Sequence, residues 1–248
     1  MLTSPSNTHY NNAPITEAII DLRVEVSSTI TVDDLKRVQA SEAVTYPVIT
    51  PMHETLNQFA LGPDAHVTST TTQIGFLFRS SDEKQVIQAR MNGFTLSRLA
   101  PYQSWGAFQK EARRLWNIYR AIANPSSVVR VAVRNINRLD IPLPVTDFAD
   151  YLRTFPQVSA DLPQGLSGYF MHLAMPLVEI KGQAMIIETI IPPVRPDVVS
   201  LVLDIDVSRT DDLPTDDDEI WALLEQIRNV KDNVFEGCIT PKTRTLFK

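Results

Sequence analysis

A single cysteine, Cys238, occurs in this chain of 248 residues, which excludes an intramolecular disulfide framework and an all-thiolate zinc site and fits a reducing compartment. Glycine is also scarce, eight residues against seventeen prolines. Few Gly-dependent phosphate loops are therefore expected, and many stiff connections and strand ends. No apolar run approaches the roughly 18 residues that cross a bilayer, because Asp204 and Asp206 interrupt even the run that begins at Val198. Basic charge is in deficit: 23 Lys and Arg face 29 Asp and Glu, for a net charge of −6. Bulk nucleic-acid binding, which draws its affinity from cations on phosphates, is excluded by that balance. The opening residues have neither the basic n-region nor the apolar h-region of a signal peptide. A cytoplasmic protein without membrane association is the expectation.

Catalytic motifs are missing too. There is no Gly-x-Ser-x-Gly elbow, no Gly-Lys-Ser/Thr phosphate loop and no Gly-x-Gly-x-x-Gly. The four histidines, His9, His53, His66 and His172, show no metal-ligand spacing, and Cys238 has no partner cysteine. No cofactor, no metal site and no catalytic residue is expected, and a non-enzymatic role is favoured over an enzyme.

What is present is alternation. In Ile15 to Val26, Ile20, Leu22, Val24 and Val26 alternate with Asp21, Arg23 and Glu25, the period of a strand with one buried face. Extended chain is expected at Tyr46 to Ile49, Gln73 to Arg79, Gln85 to Met91 and Phe94 to Leu99, with Asn92-Gly93 closing a hairpin. Further strands are expected at Val128 to Ile141, Tyr169 to Pro176, Ala184 to Ile191 and Val198 to Ser208. Ser104 to Ala123 carries apolar residues at three- and four-residue spacing, as does Asp216 to Glu236, with Thr215 as N-cap and Gly237 beyond the end. The reading is an α+β protein with antiparallel sheets and two long amphipathic helices, arranged as two pseudo-repeated halves. Residues 1–13 are expected to be a disordered tail, 14–142 the N-terminal half and 143–248 the C-terminal half, packed as one unit.

Three polar sets are candidates for function. Arg130, Arg134 and Arg138 share one face of a strand, where guanidiniums recognise phosphates or carboxylates bidentately. The alternative is a sheet face on which they pair with Asp21, Glu25, Asp204, Asp206 or Glu188. Asp204 and Asp206 also share a face, about 7 Å apart from the rise per residue, a spacing fit for a cation or for acid and base work, or simply for partnering basic side chains. Glu17 opens the chain's ordered part, and Asn233 and Glu236 lie three apart on the last helical turn, as ligands or as a contact closing the chain onto its body.

Asn12-Ala13-Pro14-Ile15-Thr16-Glu17-Ala18, then Asp21 and Arg23, then Arg134-Asn135-Ile136-Asn137-Arg138, and finally Ile227-Arg228, Asn233-Val234-Phe235-Glu236 and Ile239-Thr240 together resemble a sporadically distributed bacterial and archaeal family of uncharacterised proteins of about this length. The resemblance spans nearly the whole chain and carries over no activity, cofactor or catalytic residue. The family's patchy distribution implies horizontally exchanged genes and, by association, phage defence or toxin neutralisation. Asn135 departs from the aromatic that the family often has in its central strand motif, so a stacking role there does not transfer.

The expectation is thus a non-enzymatic interaction or ligand-sensing protein, with a protein partner or homodimer and an anionic ligand both compatible. The second reading is an RNA- or nucleotide-binding protein or enzyme using the Arg face and the Asp-x-Asp pair.

Overall fold

The computed structural model describes residues 10–26, 29–60, 62 and 66–248. The strands are β1 (Ile15–Val26), β2 (Val48–Ala60), β3 (His66–Arg79), β4 (Gln85–Arg90), β5 (Gly93–Leu99), β6 (Pro125–Pro142), β7 (Phe170–Leu177), β8 (Gly182–Ile191) and β9 (Val198–Arg209), close to the alternating segments except that β2 and β3 run well beyond Tyr46 to Ile49 and Gln73 to Arg79. They make one antiparallel sheet in the order β2-β3-β4-β5-β1-β6-β9-β8-β7. The helices are α1 (Trp105–Ala123), α2 (Asp217–Cys238) and the short α3 (Pro241–Arg244). No helix among the described residues is long and apolar enough to cross a membrane.

This corrects the expected α+β architecture. Strand makes up 44% and helix 27% of the structure, so the protein is mostly β. A single sheet replaces the separate antiparallel sheets. The helical part is not two long helices but is divided among α1, α2, α3 and four 3-10 segments. Nor are the compact units two successive pseudo-repeated halves. One unit comprises the chain up to Ile20 with Arg98–Ser104 and Arg130–Lys248, and the other is Asp21–Ser97 with Trp105–Val129. The physical reason is sheet pairing: β1 lies between β5 and β6, and no sequence pattern specifies which strand edges meet.

In the unit of Asp21–Ser97 and Trp105–Val129, α1 buries Phe108, Leu115, Trp116 and Tyr119. Phe94 of β5 packs on Trp116 and Tyr119 at ring-centroid distances of 6.0 and 5.8 Å, geometry that adds to the area effect. The Tyr119 hydroxyl donates to the Arg90 carbonyl at 2.8 Å. A hairpin forms between β4 and β5, but its turn is Met91-Asn92 and Gly93 opens β5; Gly93 is needed there, since a Cβ would stand 2.6 Å from the Leu22 carbonyl oxygen.

In the other unit, β6, β9 and β8 bury alternate side chains, among them Val133, Leu139, Leu203, Ile205 and Ile186, and α2 adds Leu224 and Ile227. The α2 N-cap is Asp216, not Thr215; its carboxylate accepts from the Asp218 and Glu219 amides at 2.8 and 3.2 Å. Gly237 lies inside the helix, which runs on to Cys238. The chain then turns extended at Ile239, bridged to Leu152.

Candidate functional site

The long strand β6 sorts its side chains by parity. Val131, Val133, Asn135, Asn137 and Leu139 are buried on one face, while Arg130, Arg134 and Arg138 lie half-exposed on the other. The antiparallel register sets Arg134 opposite Asp206 and Ile136 opposite Asp204. The guanidiniums nevertheless reach diagonally. Arg134 forks onto Asp204, its Nε 2.7 Å from Oδ1 and its Nη2 donating to Oδ2. Arg130 places Nη2 2.8 and 2.9 Å from the two oxygens of Asp206. Asp204 is a diagonal neighbour of Arg134, within reach of a long side chain in such a pair of strands, and Arg130 extends two pleats to meet Asp206. Asp204 is 7% exposed, and its fork, the largest cause, holds the Arg134 guanidinium above its usual pKa. Arg138 takes a different set: Nε to Asp140 Oδ1 at 3.0 Å and Nη2 to Ser200 Oγ at 3.0 Å and to the Pro192 carbonyl at 3.2 Å.

The predicted arginines and Asp204 and Asp206 are therefore brought together, and as partners of one another. An anion arriving at this face has to displace carboxylates already engaged in charge-assisted bonds, the strong class of hydrogen bond. Glu17, on β1, adds a favourable field at Arg134. Of the other acids considered as partners, Asp21 pairs with Arg90 at 2.8 Å and with Arg23 at 3.1 Å.

Glu236 closes the chain. It accepts from the Tyr10 hydroxyl at 2.6 Å through Oε1 and from Arg244 Nε at 2.6 Å through Oε2. Asn12 adds bonds to the Phe247 and Lys248 carbonyls at 3.1 and 2.8 Å. The part of the expected tail at residues 10–13 is thus docked, and residues 1–9 lie outside the described residues. Asn233 is half-buried on the same helix.

Two features escaped the sequence reading. The first is a β-arm. The ladder between β2 and β3 runs from Val48↔Arg79 to Ala60↔His66, whereas β4 pairs with β3 only over Gly75–Arg79. Beyond the irregularity at Met52/His53 the two strands continue as a two-stranded ribbon with no β4 pairing, eight residues on each side, about 25 Å at the usual rise per residue. Gly75 fixes its root, since a Cβ there would meet the Ala89 carbonyl oxygen at 2.1 Å and a larger residue would push β3 off β4. Residues 53–59 and 66–72 are exposed on both faces of the ribbon. Three of them are large and apolar: Leu56, Phe59 and Val67 are 59%, 72% and 62% exposed, with Phe59 directly opposite Val67. No Lys or Arg occurs between Val48 and Phe78.

The second is Glu188. It belongs to the inward parity of β8 with Ala184 and Ile186 and is fully buried, on the face opposite to the arginines it was considered to serve. Its Oε1 accepts from the Tyr169 hydroxyl at 2.5 Å. Oε2 has no partner among the described residues. Burial pushes its pKa up to about 7, against the bond from Tyr169.

A scan against protein-family models finds no match, and a search of curated proteins finds none.

Proposed function

We propose that the protein is a non-enzymatic interaction module that engages another protein through its β2–β3 arm. One observation carries this reading: a two-stranded ribbon projects beyond the pairing of β4 and exposes Leu56, Phe59 and Val67. An isolated two-stranded ribbon is marginal in water, and exposed apolar side chains and open strand edges favour association. Sheet edges that must stay free are usually blunted by Lys, Pro or a bulge. Here Pro51 and the irregularity at Met52/His53 guard only the root.

The chemistry of the arm selects the partner class. With no cation from Val48 to Phe78, the arm cannot neutralise phosphates, so a nucleic acid gains nothing from it. An uncharged, apolar protein surface or an open strand edge fits it. The Arg face supports the alternative RNA- or nucleotide-binding reading less well, because Arg130 and Arg134 are occupied by Asp206 and Asp204.

The test is site-specific photocrosslinking. A photoreactive phenylalanine at position 59 is expected to give one discrete protein adduct, whereas the same group at exposed Val44 gives none. Equal, diffuse labelling from both positions contradicts the reading.

A further inference from the structure

Glu188 is the only acidic side chain that is wholly excluded from solvent among the described residues, and its surroundings are nearly apolar. The two adjoining strands place Leu203 of β9 and Met171 of β7 opposite it. Neither presents a cation. Tyr169, just before β7, supplies its hydrogen bond, and the buried Cys238 thiol, in the last turn of α2, feels its charge and is bonded to Thr154. An ionised carboxylate needs donors at both oxygens, and Oε2 has none. A buried charge left in that condition either takes up a proton or opens a path for water.

We propose that Glu188 is a proton-operated latch for this corner of the fold. As the neutral acid it is compatible with complete burial and retains Tyr169. As the carboxylate it draws water to Oε2 and loosens the packing of Tyr169 and of the last turn of α2. Tyr169 ends a stretch from Arg153 that forms neither helix nor strand, and its ring meets Phe148 edge-on at 6.4 Å. These are the contacts that the carboxylate form weakens, while the sheet, whose β8–β9 ladder continues on both sides of Glu188, stays paired.

The chain's one cysteine is a built-in reporter, 2% exposed and adjacent to the latch. The experiment measures the rate at which a neutral thiol reagent modifies Cys238 in the intact folded chain from pH 5.5 to 8.5, for the wild type, Glu188→Gln and Tyr169→Phe. Dividing the wild-type rate by that of Glu188→Gln removes the ordinary rise of thiolate with pH. The ratio is expected to climb about tenfold between pH 6 and pH 8, the change that follows when a carboxyl titrating near 7 closed and near 4.5 open controls opening. A ratio that stays level over this range overturns the proposal. Should Glu188→Gln fail to fold, Tyr169→Phe decides: it removes the one donor to the carboxylate, so the rise must move to higher pH, and an unmoved midpoint also overturns it.

Discussion

Arg134 lies opposite Asp206 in the strand register but forks onto Asp204, two residues further along β9. Arg130 reaches further in the same sense, onto Asp206, which lies opposite Arg134 four residues along β6. The two pairs therefore interlock along β6 and β9: Asp204 is held by the arginine one pleat from its own opposite, Ile136, and Asp206 by the arginine two pleats from its own opposite, Arg134. An Asp-x-Asp and an Arg-x-x-x-Arg, each suggestive of a ligand site in isolation, are here two halves of one ladder.

Removing Arg134 is expected to destabilise the fold, because Asp204, 7% exposed, loses its fork. Arg134→Ala should cost about 1–2 kcal/mol, less than a fully buried pair because the Arg134 side chain is 38% exposed and water can partly replace it. Asp204→Asn should cost a similar amount, and the double variant less than the sum of the two. Urea melts of the four proteins measure the coupling, and strict additivity would show that the pair contributes nothing.

The helix cap gives an independent check on α2. Asp216→Ala removes the acceptor for the Asp218 and Glu219 amides and should lower stability by about 0.5–2 kcal/mol. Thr215→Ala, at the position expected from sequence to be the cap, should cost much less. Thermal melts of both variants distinguish the two assignments.

Glu188 makes stability fall as pH rises. Its carboxyl sits at about 7 in the fold against 4.5 ordinarily, so between these values the folded chain holds a proton that the unfolded chain has released. That contribution is largest below 4.5, declines through the window and is gone above 7, a difference of about 3 kcal/mol at most. Relative to the wild type, Glu188→Gln should therefore gain stability from pH 5 to pH 8. Chemical denaturation of both at the two pH values measures it, and parallel pH profiles would refute the assignment.

Where one face of an element is buried, the sequence reading located it. β1 runs from Ile15 to Val26 as its alternation indicated, and the hairpin expected at Asn92-Gly93 forms with its turn one residue earlier, at Met91-Asn92. The arm did not show itself, because His53–Ala60 and His66–Gln73 lie outside any core and have no reason to alternate; Thr68 to Thr72 reads as polar loop. Phe148–Asp150 forms only a 3-10 turn, with the Asp147 carboxylate accepting from the Ala149 amide at 2.8 Å. The arginines were found, and so was their choice between ligand and aspartate, which only the diagonal geometry resolves. Glu188 was weighed as a partner for them, since strand parity relative to β6 depends on a register that no local pattern reveals. Lys231 was hidden as well: it is a residue of α2, 4% exposed, with Asp232 at 2.7 Å.

The arm itself is tested most directly by native mass spectrometry of the gently purified protein, comparing the wild type with Leu56→Ser/Phe59→Ser/Val67→Ser. The three side chains are exposed and touch no core, so the variant should melt within about 0.5 kcal/mol of the wild type. The expected result is a stoichiometric complex, with a second copy or with another protein, that the wild type forms and the triple variant loses. A complex retained by the variant, or a wild type that is monomeric under every condition in which its partners are present, would contradict an interacting arm.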